Sequence, residues 1–274
     1  MADLHPFSDL IATRRVLAGS VSFAITDDWL QGRTSFGGLV SALMAQAMRE
    51  CAGAAWPAGV GLRALQTSFV APVGAGELVV SVNVLRQGKN ICQVMAQARQ
   101  HDQVVTACLG TYGADRASGL AARRPLPDDS IPAVGVLPTS PARSGQAPTF
   151  LQHFDLRWAA GPPPMSGGQG WRTSLYLRLR DAALAQVSSE LQTVLLADLS
   201  PTPVIGHLSR PSPNSSVTWA LELRAIATPS PADWWRADNE SLMVEGGYVN
   251  HAAKLWSPDG QLAAFGYQVV AVFA

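Results

Sequence analysis

Three features of the sequence could carry chemistry. Gln268 lies in a run that alternates as a strand, between Ala263-Ala-Phe-Gly-Tyr267 and Val269-Val-Ala-Val272. A polar amide in such a place needs a partner or a task. Gly37-Gly38 leads Leu39 to Met48, a segment apolar or small nearly all round. The N-terminus of a glycine-led helix offers backbone N–H groups to developing negative charge, although the same glycines equally suit close packing of helix on sheet. Asp198 ends a second such segment, just before Leu199-Ser-Pro201. A carboxylate there can cap or end a turn as well as react.

The remaining residue types form no common catalytic signature. The nearest approach to a nucleophile elbow, Gly32-Arg-Thr-Ser-Phe-Gly37, has its first glycine one residue too far from the serine. There is no GxGxxG after a strand, no P-loop, no HExxH and no His/Cys/Asp cluster for a metal. His5, His101, His153, His207 and His251 are scattered, and each reads singly as a surface or structural residue. Cys51, Cys92 and Cys108 show no CxxC spacing and an odd count, which suits reduced structural thiols in the cytoplasm. Lys+Arg and Asp+Glu both number 20, so charge gives no reason to expect nucleic acid or an anionic membrane as partner. No basic segment followed by an apolar core opens the chain, and no apolar run reaches the roughly 18 residues of a membrane span. The expectation is a cytoplasmic protein with no metal, no cofactor and no membrane span.

The elements that must position these residues follow from periodicity. A helix as apolar as 37–51 has no face suited to water and must be wrapped, and long alternating segments follow it. Strands are expected over 16–26, 62–70, 77–85, 91–99 and 104–112, with turns at Gln87-Gly-Lys-Asn90 and His101-Asp-Gln103. Ser35 is placed to cap the helix, and Gly53 and Pro57 to stop it. Residues 114–148, rich in Pro, Ala, Arg and Ser, read as a surface linker between an N-terminal module, 1–113, and a C-terminal one, 149–274. The second module has strands over 150–158 and 171–180, an apolar helix from Asp181 to Ala197, and strands over 217–226, 241–246, 248–256 and 261–273. Trp234-Trp235 falls in a Pro-rich loop and reads as edge packing. The last hairpin turns, at Asp102 and Asp259, stand 157 residues apart (259 − 102), an offset that lays Thr111 on Gln268. The pattern is a two-copy repeat, weak by identity.

From about Val16 to Val272 the chain resembles the double-hotdog acyl-CoA thioesterases, the family of bacterial acyl-CoA thioesterase II. The resemblance is carried by Gln31-Gly-Arg-Thr-Ser-Phe-Gly-Gly-Leu39, Leu65-Gln-Thr-Ser-Phe-Val-Ala-Pro-Val73, Val84-Leu-Arg-Gln-Gly-Lys89, Leu196-Ala-Asp-Leu199 and Trp256-Ser-Pro-Asp-Gly-Gln-Leu-Ala-Ala-Phe-Gly-Tyr-Gln268. No one of these motifs is specific; their order and spacing are. The resemblance implies an α+β double hotdog, two antiparallel sheets each wrapping a central helix and joined side by side, and association into a homo-oligomer. It implies hydrolysis of acyl-CoA to free fatty acid and CoA by water held by an Asp, a Gln and a Ser/Thr, the alternative being an acyl-CoA- or lipid-binding hotdog without turnover. These roles fall on Asp198, Gln268 and Ser215, nine positions before Arg224 (224 − 215), with Ser216 or Thr218 as alternatives. Phe36, Gly37 and Gly38 are expected to bind substrate. The chemistry is coherent: a partly desolvated carboxylate can take a proton from water near neutral pH, while an amide and a hydroxyl aim the water's lone pair.

Overall fold

Period-two alternation runs through most of the chain, and twelve strands join one continuous antiparallel sheet. The structure, a computed structural model, describes residues 4–57, 59–138 and 147–273. In chain order the elements are α1 (Phe7–Ala12), β1 (Arg15–Leu17), β2 (Ser20–Ile25), β3 (Leu30–Gln31), β4 (Thr34–Ser35), α2 (Gly37–Ala52), β5 (Gly61–Phe69), β6 (Gly76–Gln87), β7 (Ile91–Gln100) and β8 (Gln103–Gly113). The second half adds β9 (Phe154–Ala160), β10 (Arg172–Leu179), α3 (Ser189–Ala197), β11 (Asn214–Leu223), β12 (Trp235–Glu245), β13 (Tyr248–Trp256) and β14 (Leu262–Val272).

The sheet order is β1-β2-β6-β7-β8-β5-β11-β14-β13-β12-β10-β9, with β3 and β4 forming a separate ribbon. With that ribbon set aside, each half reads from its edge to the centre as its first, second, fourth, fifth, sixth and third strand. The internal repeat is thus a repeat of topology. The two halves do not keep separate sheets. β5 and β11 pair antiparallel from Ala64↔Glu222 to Ser68↔Thr218, so each satisfies the edge that the other half would leave open.

α2 lies across β2, β6, β7 and β8, α3 across β10, β11, β13 and β14, and the two helices touch. Leu39, Leu43 and Met44 of α2 are fully buried, each worth roughly 1.5–3 kcal/mol. One apolar cluster runs through both halves, and Phe36 stacks on Phe150 across them at 4.5 Å. At the far end of the helix pair, Arg49 holds Glu190 through Nε (3.1 Å) and Nη2 (2.7 Å). The approach of α2 to α3 depends on Gly38, where a Cβ would lie 2.7 Å from the Leu195 carbonyl oxygen and 2.6 Å from Phe36 Cζ. Gly38→Ala is expected to destabilise the fold by about 1–3 kcal/mol. A thermal midpoint equal to that of the wild type would contradict so close a contact.

Several expected elements differ. The first strand is a hairpin, β1–β2, turned at Gly19 with φ +72. Ser35 does not cap α2: Phe36 holds the cap position, and Ser35 still belongs to β4, donating its N–H to Val73 O at 2.6 Å. Residues Thr149–His153 form a 3-10 turn ahead of β9, with His153 stacked on Trp29 at 3.8 Å. The second helix begins at Ser189, not Asp181. The Asp181 carboxylate instead accepts the backbone N–H and hydroxyl of Ser8, both at 2.8 Å, and Ser188 caps the helix through Leu191 N–H. β12 starts at Trp235 rather than Ser241. In the stretch 114–138, Arg236 reaches Asp128 O and Arg157 reaches Val134 O, tying the connection to the second half; residues 139–146 of the expected linker lie outside the described residues. No helix among the described residues is long and apolar enough to cross a membrane.

Candidate active site

α3 ends at Ala197, and Asp198 is its C-cap residue, a partly buried carboxylate facing the last strand of its half. Gln268, on the helix-facing side of β14, donates from Nε2 to Asp198 Oδ1. The polar residue that its strand could not explain is therefore paired with the carboxylate at the end of the second helix. Burial raises the Asp198 carboxyl to about 7, against the hydrogen bonds of the Gln268 side chain and the Gly38 backbone, which lower it.

The other side of Asp198 is closed by the first half. A Cβ on Gly37 would stand 2.8 Å from Asp198 Oδ2 and 3.1 Å from Phe69 Cζ. The glycine pair thus brings the N-terminal turn of α2 against the carboxylate, and the positive end of a helix favours the ionised form there. Phe36, immediately before, is buried in the stack with Phe150 and supports this turn from within the core.

The three candidate hydroxyl residues are sorted by strand register. On β11, Ser215 pairs with Ala271, Ser216 with Val270 and Thr218 with Val269, with a bulge between Ser216 and Thr218. Side chains on one face recur every second residue and directly paired residues share a face. Ser216 therefore shares the face of Val270 and Gln268, while Ser215 and Thr218 project to the other. Ser215 is exposed and its hydroxyl donates to Ser216 O at 3.3 Å, so it is not brought to Asp198. The same parity corrects the repeat offset. Cys108 and Tyr112 of β8 touch Met44 and Ala45 of α2, so Thr111 faces away from the helix whereas Gln268 faces toward it. An odd offset exchanges the faces.

One residue that reads from sequence as merely structural stands next to the pair. His251 on β13 is the cross-strand partner of Gln268 and is buried, as are Asn239 and Ser241 on β12. Its Nε2 lies 3.4 Å from Asn239 Oδ1, and Nδ1 has no partner at full hydrogen-bond geometry. Burial lowers the imidazole to about 4, with the Gln268 side chain acting in the opposite direction. The signal in the sequence was a histidine amid Val249 and Ala252-Ala253, the same kind of mismatch that marked Gln268. Among the described residues no group of three or more His, Cys, Asp or Glu could hold a metal ion.

A continuous antiparallel sheet with two helices laid on it, and a carboxylate–amide pair at the junction of the two halves, defines the class: a hotdog fold in two fused copies. Solved structures share it. A protein of unknown function with a hot dog fold from Alicyclobacillus acidocaldarius superposes with TM-score 0.81 at 21% identity, covering 99% of each chain. A protein assigned as a thioesterase II from Thermobifida fusca gives TM-score 0.80 at 19% identity, covering 98% of both chains. An acyl-CoA thioesterase II from Mycobacterium marinum gives 0.73 at 16%, covering 96% of this chain and 97% of that one. No curated protein matches the chain significantly. The family models for the acyl-CoA thioesterase N-terminal domain and C-terminal domain match residues 25–113 and 127–272. The chain belongs to the acyl-CoA thioesterase family, and its general chemistry is thioester hydrolysis.

Proposed function

We propose that the protein hydrolyses fatty acyl-CoA to the free acid and CoA, with Asp198 as general base and Gln268 and Ser216 orienting the water. The observation that carries this reading is the contact of Asp198 with Gln268 on one side and Gly37 on the other. A water oxygen bonded to Asp198 attacks the thioester carbon while its proton passes to the carboxylate. The carbonyl oxygen becomes an oxyanion close to the positive end of α2, which Gly37 lets approach the carboxylate. As the tetrahedral intermediate collapses, the C–S bond breaks and the CoA sulfur takes the proton back from Asp198. Ser216 takes the role first expected of Ser215 because of the register of β11 on β14.

A carboxyl raised to about 7 is a competent base only when ionised. The value of kcat/KM is therefore expected to rise with pH and to reach half its plateau near 7, in place of the flat profile that an ordinary carboxylate would give over the same range. A flat profile from pH 5 to 8 would remove Asp198 as the base. The test of the function itself is thiol release from saturated acyl-CoA substrates of increasing chain length. Saturable binding by calorimetry without release of thiol at any length would make the protein a binder and not a hydrolase.

A further inference from the structure

The mechanism leaves one buried titratable residue of the site unused. The inner face of a hotdog sheet is apolar, yet three successive strands here carry Asn239, His251 and Gln268 on it, exposed by only 4%, 4% and 8%. His251 and Gln268 are directly paired across β13 and β14. Gln268 uses Nε2 on Asp198, so its carbonyl oxygen Oε1 is the end left to bond elsewhere. His251 Nδ1 is the buried atom on that strand pair still lacking a full hydrogen bond. Leaving such an atom unpaired is costly.

We propose that His251 is a positioning residue for the hydrolysis, its Nδ1–H donating to Gln268 Oε1 and so holding the Gln268 NH2 toward Asp198. The two ends of an Asn or Gln amide have the same shape, so the Asn239 amide can be turned to donate from Nδ2 to His251 Nε2 while its oxygen accepts from the Thr173 hydroxyl, 3.5 Å from the amide group. Every donor then points one way: Thr173 to Asn239, Asn239 to His251, His251 to Gln268, Gln268 to Asp198. Without His251, Gln268 Oε1 has no donor, and the amide is free to swing or to present its oxygen to the carboxylate. The groups acting on Asp198 are Gln268 and the Gly38 amide, and the group acting on His251 is Gln268; among the described residues no charged side chain figures beside either. Ser241, also buried on β12, is occupied with the Thr202 hydroxyl at 3.1 Å.

This inference rests on the proposed function, and two measurements separate them. In protein carrying 15N-labelled histidine, His251 is expected as the Nδ1–H tautomer at neutral pH, with its ring signals displaced in Gln268→Leu. The Nε2–H tautomer would overturn the proposal regardless of any activity, and it decides alone if His251 variants do not fold. In acyl-CoA hydrolysis, His251→Leu is expected to lower kcat on the order of tenfold with KM little changed. It should also move the acid limb of the kcat/KM profile to higher pH, because ionised Asp198 loses a fixed donor. His251→Asn, whose amide can donate to the same oxygen, should recover part of both. A folded His251→Leu with wild-type kcat and an unmoved limb overturns the positioning role. So does equal loss in both variants with the limb unmoved, the signature of packing alone. Wild-type protein that releases no thiol would fail the functional reading, while the tautomer would still decide the hydrogen bond.

Discussion

Asp198→Asn is expected to lower kcat/KM for acyl-CoA hydrolysis by about two to four orders of magnitude, the usual contribution of a positioned general base. Asparagine keeps the shape of the carboxyl and an oxygen to accept from Gln268, so the loss reports the base and not the packing. The same substitution has a second consequence, in stability. The folded state holds the Asp198 proton up to about 7, whereas the unfolded chain releases it near 3.8. Proton binding therefore favours the folded wild type at low pH, and that stabilisation is lost as pH rises through 7. Asparagine stays neutral throughout. The variant is expected to match the wild type near pH 4 and to exceed it in thermal midpoint at pH 8, a stability gain obtained by removing function. Thiol-release kinetics at pH 8 and thermal unfolding at both pH values check the two halves of this expectation. A variant that retains activity refutes the base, and a midpoint difference that does not vary with pH refutes the desolvated carboxylate.

The features legible in the sequence were those with strong periodicity. Strands such as Glu77 to Leu85 alternate over much of their length, and α2 announces itself by two glycines and an apolar run; both are present within a residue or two of the expected limits. Gln268 and Asp198 were legible as residues, and the contact between them required the fold. What escaped the sequence escaped for identifiable reasons. The start of α3 is hard to read because 181–188 is as apolar as the helix; the bonds from Ser8 to Asp181 and the Ser188 cap on Leu191 N–H hold that stretch out of it. The first half of β12, residues 235–240, is not legible because Trp235 reads with the Pro-rich loop before it and the inward positions that follow are a small residue, Ala237, and a polar one, Asn239, which erases the alternation that marks a half-buried strand. His251 is not legible either, since a lone histidine carries no information until its cross-strand neighbour, Gln268, is known. Ser215 and Ser216 cannot be told apart in the sequence because of a single bulge: one extra residue in β11 reverses which hydroxyls share the face of Gln268. A polar layer inside an apolar sheet thus breaks the very pattern by which strands are read.

The largest effect expected from the first half of the chain is that of Gly37→Ala. The new Cβ would need the space of Asp198 Oδ2, 2.8 Å away, and would press on Phe69, 3.1 Å away. Phe69 and the α2 backbone are held in place by the sheet and by the Phe36 stack on Phe150, so the group that can yield is the carboxylate. Turning it away also breaks its bond to Gln268. A displacement of about 1 Å at a reacting group can cost on the order of 100-fold in rate, so kcat is expected to fall by about that factor. The thermal midpoint should change less than in Gly38→Ala, where the added atom meets the Leu195 carbonyl of the partner helix and the backbone cannot move aside cheaply. Steady-state kinetics and thermal unfolding of the two variants side by side make the distinction. If Gly37→Ala keeps wild-type kcat, the α2 turn does not border the reacting centre, and the site belongs to the second half alone. If it loses kcat while folding normally, a residue of one half governs chemistry carried by the other, which gives a physical reason for fusing two copies into a single sheet.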